Sequence, residues 1–464
     1  MKKTANKLSE YGLDETIAAI ATPIGSGGIS IVRLSGKKSL KIGLLLSQLT
    51  ELPARQMKYS NLYDQNKQLI DEALVVYMPA PHSYTGEDVV ELQCHGGMQS
   101  PTRVLAAAIA AGARLAQPGE YTLRAFLHGR VDLTQAEAVN DLIDAPTPQA
   151  ADMLAQQLTG KLSRALQAIE DELLDILAQI EVGVDFPDDE DALSSQEAIT
   201  QIKPLIKQIK KLLAGAQEGR IIKEGIKTCL LGATNVGKSS ILNALLAEER
   251  AIVTSVPGTT RDVIEEYLNL GGLPIILSDT AGLRESADEV ETLGIDKTHQ
   301  VAESAQLILL VLDGSRPLLT EEESLLTSFN EKKIVVIVNK NDLAGAKETI
   351  NFVKKQYPQV PCISVSAKTG DGLDQLEQTI KQLVLTEGLS GQRDHLINNA
   401  RHQEALISAK KSLERSIKAL NDGYPVDIAA IDLEEAWQYF GEISGKTAGE
   451  EVIARIFSKF CLGK

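Results

Sequence analysis

The stretch Gly232-Ala233-Thr234-Asn235-Val236-Gly237-Lys238-Ser239 constrains this chain more than any other. A glycine, four residues and then Gly-Lys-Ser is the spacing of a phosphate-binding loop. It follows the apolar run Ile226 to Leu231, which reads as a buried strand, and precedes Ile241 to Leu246, which reads as a helix. The chemistry needs that context. Glycines let backbone N–H groups turn inward around a β-phosphate, and the helix N-terminus adds partial positive charge. Lys238 then reaches the β/γ-phosphates, and the Ser239 hydroxyl holds Mg²⁺. An ordinary strand–turn–helix corner could share the spacing, so later motifs must decide.

Three of them occur in the right order. Asp279-Thr280-Ala281-Gly282 ends the apolar run Pro274 to Leu277, where a carboxylate can reach the Mg²⁺ shell and a glycine N–H can face the γ-phosphate. Asn339-Lys340-Asn341-Asp342 ends the strand Ile334 to Val338, and its aspartate can accept both N–H donors of a guanine edge, which adenine lacks. Ser366-Ala367-Lys368 ends the strand Cys362 to Val365 and can offer a backbone N–H to the guanine carbonyl. The expected nucleotide is GTP, held by Asn235, Val236, Gly237, Lys238, Ser239 and Ser240 with these three segments.

At 464 residues the chain has room for about three domains. Its net charge of −16, from 47 basic and 63 acidic residues, argues against unaided nucleic-acid binding, which needs a basic face. Cys94, Cys229, Cys362 and Cys461 stand far apart, without metal-ligand spacing or a disulfide framework. Lys2 and Lys3 have no apolar segment behind them, and the run Leu307 to Leu312 is far too short to span a membrane. The expectation is a reduced, cytoplasmic, soluble protein with no membrane partner.

Residues 1–128 read as a compact α+β domain, with strands at Thr16 to Ala21, Ile29 to Leu34, Glu72 to Met78 and Asp88 to Gln93, and a helix at Pro101 to Ala111. Arg33, Glu91, His95 and Arg130 stand as polar residues at strand ends or turns, where capping or plain surface exposure would explain each. From Thr134 the periodicity becomes helical, over Ala136 to Ile143, Gln149 to Leu158 and Leu162 to Ile180. The acidic turn Asp185 to Asp191 breaks the run as a solvated charge cluster, and Ser194 with Glu197 makes a capping box for the next helix. Helices resume after Gly388, at Asp394 to Asn421, Asp427 to Phe440 and Gly449 to Phe460. The architecture is then a helical domain in two halves, 129–220 and 386–464, with a nucleotide-binding domain at 221–385 inserted between them. Movement in the insert can pass on as helix displacement.

In Ras-like enzymes the residue after the Asp-x-x-Gly glycine is a water-orienting glutamine. Here it is Leu283, so another group must serve, and the polar run Arg284 to Glu291 offers candidates. Thr254-Ser255-Val256-Pro257-Gly258-Thr259-Thr260-Arg261-Asp262 reads as the switch loop, with Thr260 the second Mg²⁺ ligand. Asn235 can help hold a monovalent cation against the phosphates in place of an arginine finger, or can simply stabilise its loop.

Four stretches carry a resemblance over nearly the whole chain: Asp14 to Pro23 with Gly27-Gly28, Tyr84-Thr85-Gly86-Glu87-Asp88, Gly258-Thr259-Thr260-Arg261-Asp262 in the inserted GTPase, and Phe460-Cys461-Leu462-Gly463-Lys464. Together they resemble the MnmE (TrmE) family of bacterial tRNA-modification GTPases. The resemblance implies a multidomain fold: an N-terminal α+β tetrahydrofolate-binding-like domain that is also the homodimer contact, a helical domain, and an inserted Ras-like P-loop GTPase. It implies a partner, the FAD protein MnmG. With it, C5 of the tRNA wobble uridine receives an aminomethyl or carboxymethylaminomethyl group, the one-carbon unit coming from 5-formyl- or methylene-tetrahydrofolate. By motif match, Arg33, Glu91, Arg130 and Lys464 fall on the folate-contacting positions. Arg130 stands where relatives often have lysine, which keeps the charge and changes the donor geometry. The resemblance also implies K⁺ held by Asn235, Thr254, Val256 and Thr259 between GTPases that meet face to face. Glu291 falls on the water-orienting glutamate and Cys461 on a cysteine needed for modification. Leu462 replaces the usual isoleucine. A second class, regulatory GTPases of ribosome assembly, shares the nucleotide motifs but normally carries a basic RNA-binding module, which this acidic chain lacks.

Overall fold

A computed structural model describes residues 12–23, 25–185, 193–247, 266–277, 302–328, 332–385 and 397–464. The chain divides into two compact units. One comprises Met1–Asn140, Gln157–Leu205 and Ser408–Lys464; the other comprises Asp141–Gln156 and Ile206–Ile407.

The first unit contains a six-stranded sheet of β1 (Ile17–Ile20), β2 (Ile29–Ser35), β3 (Lys58–Tyr63), β4 (Leu69–Met78), β5 (Val89–His95) and β6 (Arg114–Leu115). Its order is β3-β4-β5-β2-β1-β6, antiparallel except for the β1–β6 pair. Alternation assigns the two faces. Val32, Leu34, Val90, Leu92, Cys94 and Val75 point to a core shared with helices Ser39–Ser47 and Gln99–Ala110. Arg33, Glu91, Gln93 and Leu74 point the other way, where Ile29, Met57 and Tyr59 are 62%, 57% and 65% exposed. Sequence reading missed the first of those helices, β3, β6 and helix Glu120–Leu127, because short segments leave little periodicity to read.

In the helical part of this unit, helices Lys161–Asp185 and Val426–Ser444 bury apolar stripes, and Lys446 bonds Glu170 at 2.9 Å. Ser194 and Glu197 form the expected capping box, with reciprocal bonds of 3.0 and 3.3 Å that cap helix Ser195–Ala214. The helix expected from Asp394 begins instead at Ala400, where the Asn399 side chain accepts the Arg401 N–H at 2.9 Å and sets the start. Leu123, Leu133, Ile453, Phe457 and Phe460 form a separate apolar cluster that fixes the end of helix Glu120–Leu127 beside helix Glu450–Phe457.

The second unit contains a sheet of β7 (Ile226–Leu231), β8 (Glu266–Leu270), β9 (Leu273–Leu277), β10 (Leu307–Asp313), β11 (Lys333–Asn339) and β12 (Cys362–Ser364). The order is β12-β11-β10-β7-β9-β8, parallel except for the β8–β9 hairpin. Near-continuous apolar strands suit a parallel sheet covered on both faces. Leu307, Leu309, Val311 and Ile337 enter one cluster with helix Leu373–Val384, while Ile308, Leu310, Leu312 and Val336 enter another with helix Ala346–Gln356. Every predicted strand of this sheet is present. The parallel arrangement brings the C-terminal ends of β7, β10, β11 and β12 to one edge, the edge where such sheets bind ligands.

Two charge clusters in the first unit yield predictions. Arg124 is 1% exposed and bonds Glu120 at 2.9 Å and Glu87 at 3.0 Å; Glu120, fully buried, also takes Arg114 at 2.7 Å. Removing Glu120 from this cluster leaves the buried Arg124 with Glu87 alone, at a cost of about 3 kcal/mol. Glu120→Ala should therefore lower hydrogen-exchange protection of β1 and β2 amides, and unchanged protection would contradict a stabilising role. At the far end of β5, the Asp71 carboxylate bonds the His95 ring at 2.7 Å and, with its charge, raises the His95 pKa above 6.5. A raised histidine stabilises fully below pH 6.5 and loses that contribution as pH rises through the raised value. An NMR titration should find His95 above 6.5 and Asp71→Asn should bring it down; equal titration in both proteins rejects the pair.

Candidate functional site

The phosphate loop leaves β7 at Leu231 and enters helix Lys238–Ala247. Gly237 sits at φ +97°, and a Cβ there would stand 2.2 Å from Asn339 Nδ2, so no other residue fits. The Lys238 ammonium donates to the carbonyls of Gly232 and Ala233, both at 2.8 Å, and burial lowers its pKa. It is thus held inside the loop, facing the space its N–H groups enclose. Ser239 and Ser240 lie in the first turn of that helix, Ser240 exposed and Ser239 half-buried.

The segments Asn339–Asp342 and Ser366–Lys368 are fastened to this loop through the end of β11. Asn339, 2% exposed, donates from Nδ2 to the Val236 carbonyl at 2.9 Å and accepts the Ala367 N–H on Oδ1 at 3.1 Å. Lys340 adopts φ +63°, and its ammonium bonds the Asn235 carbonyl at 3.0 Å and Asp313 at 2.6 Å. Hydrogen bonds from Lys340 and Ser315, with the lysine's charge, outweigh burial and lower the Asp313 pKa. Two successive loop carbonyls are therefore gripped by two successive side chains, and the exposed Asn235 is fixed at φ +63°. Asp342 accepts the Ser366 hydroxyl at 2.8 Å, which aims its carboxylate beside the Ser366–Lys368 turn. Asn235, Val236, Gly237, Lys238, Asn339, Lys340, Asp342, Ser366 and Ala367 thus converge. Thr254, Ser255, Val256, Pro257, Gly258, Thr259, Thr260, Asp279, Thr280, Ala281, Gly282 and Glu291 lie outside the described residues.

A second constellation lies in the first unit. Arg33 and Glu91 are cross-strand partners on β2 and β5, and the Arg33 guanidinium bonds Glu91 Oε1 from both Nε and a terminal nitrogen at 2.9 Å. The guanidinium lies 5.5 Å from the Tyr84 ring and 5.7 Å from the Tyr121 ring. Tyr84 Oη bonds Thr122 at 2.9 Å, joining the Tyr84–Asp88 turn to helix Glu120–Leu127. The terminal segment docks at the start of that helix by its main chain: the Cys461 carbonyl accepts from Gly119 N–H at 3.4 Å, and the Lys464 carbonyl from Tyr121 N–H at 3.2 Å. Between them Gly463 has φ +90°, and a Cβ there would stand 2.5 Å from the Ile20 carbonyl oxygen. Of the four cysteines Cys461 alone is exposed; Cys94, Cys229 and Cys362 are buried.

Arg33, Glu91 and Lys464 are therefore brought together around Tyr121. Arg130 is exposed just beyond the same helix, its backbone N–H on Ala125 at 2.9 Å. Sequence reasoning missed Tyr121 and the Glu87–Arg124–Glu120 cluster. Only the i,i+4 spacing of Glu120 and Arg124 could have signalled it. Glu87 and Asp88, quoted for their resemblance alone, prove to be structural: Glu87 pairs with Arg124 and Asp88 accepts the Tyr77 hydroxyl at 2.9 Å.

Comparison with known proteins supplies the context for these sites. A family model described as the MnmE helical domain matches residues 133–461, and one described as the GTP-binding protein TrmE N-terminus matches residues 16–130. The tRNA modification GTPase MnmE of Levilactobacillus brevis is 43% identical, the match covering 97% of this chain and 98% of that one. Its counterpart in Geobacillus thermodenitrificans is 44% identical over 97% of this chain and 99% of the other. Among solved structures, an Era variant of Aquifex aeolicus bound to GDP.AlF4- is 28% identical, covering 40% of this chain and 66% of that one, with a TM-score of 0.27.

The Asn339 geometry makes a direct prediction. Asn339→Ala removes both bonds between the phosphate loop and the Ser366–Lys368 turn and should weaken guanine nucleotide binding on the order of a hundredfold. Fluorescent GDP titration measures it, and a Kd within about threefold of wild type would show that the amide is dispensable.

Proposed function

This chain belongs to the MnmE family of tRNA modification GTPases, and from that premise we infer that its GTP hydrolysis, stimulated by K⁺, serves modification of the tRNA wobble uridine. In this reading it acts with MnmG to add an aminomethyl or carboxymethylaminomethyl group at C5, using a one-carbon unit carried by tetrahydrofolate. The observation that carries the reading is the docking of the Cys461–Lys464 segment next to the Arg33–Glu91 pair. A switch GTPase of ribosome assembly has no use for a folate-type cradle with a thiol beside it.

The donor set suits the groups involved. Glu91 offers a carboxylate for the N–H edge of a pterin, while Arg33 and Lys464 bring positive charge for carbonyls or carboxylates. Arg130 is the fourth member of this set, at the exposed rim. Bound tetrahydrofolate supplies an activated one-carbon unit; the protein orients it and presents Cys461. At the GTPase, Ser239 and Thr260 would hold Mg²⁺, which neutralises phosphate charge. Asn235, Thr254, Val256 and Thr259 would hold K⁺, taking the part an arginine finger plays elsewhere, and Glu291 would orient water where Leu283 cannot.

A homodimer is supported by the open face of the N-terminal sheet. Ile29, Met57, Tyr59 and Leu74 are exposed there, around the Arg33–Glu91 pair, and a second copy would cover them. In this reading the chain acts on tRNA in the cytoplasm; no helix among the described residues is long and apolar enough to cross a membrane. With a net charge of −16 on this chain, much of the basic tRNA-contacting surface would come from the partner.

GTP hydrolysis in KCl against NaCl, on wild type and Asn235→Ala, tests the cation. K⁺ should stimulate wild type by on the order of tenfold or more, about 1.4 kcal/mol in barrier, and the variant should lose that stimulation. Equal wild-type rates in the two salts would remove K⁺ from the mechanism.

A further inference from the structure

Tyr121 stands between the two halves of the folate cradle and belongs to neither set of expected ligands. Its side chain is 0% exposed and packs with Ile17, Ala19 and Ala116. Its hydroxyl donates to the Arg33 carbonyl at 2.6 Å, its ring lies 5.7 Å from the Arg33 guanidinium, and its own N–H donates to the Lys464 carbonyl at 3.2 Å. One residue therefore bonds the strand that carries Arg33 and the segment that carries Cys461 and Lys464. Burial pushes the phenol far above its ordinary pKa, so it remains a donor at any working pH.

We propose that Tyr121 is the positioning residue that sets the Cys461–Lys464 segment against the Arg33–Glu91 pair, fixing the distance between the one-carbon carrier and the thiol. The idea rests on the folate reading above. Its physical basis is lever-like: helix Glu120–Leu127 begins one residue before Tyr121, and both Gly119 and Tyr121 give their N–H groups to the terminal segment. The hydroxyl is the direct tie between that helix start and the Arg33 main chain. Without it, the first turn of the helix, and with it the docked segment, would lose its direct tie to the Arg33 main chain. Arg114 on Glu120 and Glu87 on Arg124 still anchor the helix, so it stays folded in Tyr121→Phe.

Tyr121→Phe tests the lever because it keeps the ring and removes only the hydroxyl. Calorimetric titration with 5-formyl-tetrahydrofolate is run on wild type, Tyr121→Phe, Lys464→Ala and the double variant of the full chain. Positioning predicts that Lys464→Ala weakens binding in the wild-type background and has at least about threefold less effect when Tyr121 is already Phe. In parallel, iodoacetamide labelling reads Cys461, since the other three cysteines are buried. The segment should label several-fold faster in Tyr121→Phe, and folate should slow labelling in wild type more than in the variant. Independent effects in the cycle together with equal labelling rates would overturn the proposal. If wild type binds no folate, the folate reading fails, and the ligand-free labelling rates alone decide: faster in Tyr121→Phe keeps Tyr121 as the positioning residue, equal rates remove it.

Discussion

The nucleotide site depends on the amide of Asn339, which donates to the phosphate loop with its nitrogen and accepts from the guanine-side turn with its oxygen. Both bonds are made at a 2%-exposed position, where an unmatched amide would be costly. The residue can do this because β7, β10, β11 and β12 run parallel and end at one edge. The loop must in turn come close enough to meet it, and Gly237 is what allows the approach. Lys340 adds a second tie through Asp313, so the loop, β10 and β11 form one cross-linked rim. A nucleotide would meet a surface whose carbonyls are already committed inward.

The cradle in the first unit solves a different problem by similar means. Its floor is a cross-strand pair, Arg33 and Glu91, on a sheet whose opposite face is buried under two helices. Its wall is aromatic, and its third side is a segment hundreds of residues away in sequence. Tyr84 enters from the turn before β5 and Tyr121 from the helix that follows β6, so three separate stretches share one guanidinium. A buried Glu120–Arg124–Glu87 network below holds two of those stretches at a fixed spacing.

Much of the fold was legible because parallel strands are long apolar runs and phosphate-binding loops have a strict spacing. Leu307–Asp313 and Lys333–Asn339 announced themselves in this way, as did the capping box at Ser194 and Glu197. The short β3 and β6 and helix Glu120–Leu127 did not, since a few residues give no period. Arg33 and Glu91 stood out in the sequence only as polar residues at strand ends, and the resemblance alone grouped them: fifty-eight positions separate them, and strand register makes them neighbours. Tyr121 was invisible for a related reason, since an aromatic in an amphipathic helix looks like any core residue. Its second function is visible only once the terminal segment is seen to lie on its N–H.

That segment is gripped by its carbonyls and by the closeness of Gly463 to Ile20, not by its side chains. Leu462 accordingly projects to 48% exposure, and exchanging it with another branched aliphatic alters no contact that places its neighbours. A main-chain clasp of this kind separates the address from the reagent. Where the segment sits is written in peptide groups that every residue shares, so the thiol of Cys461 and the ammonium of Lys464 are left unencumbered by the task of anchoring themselves.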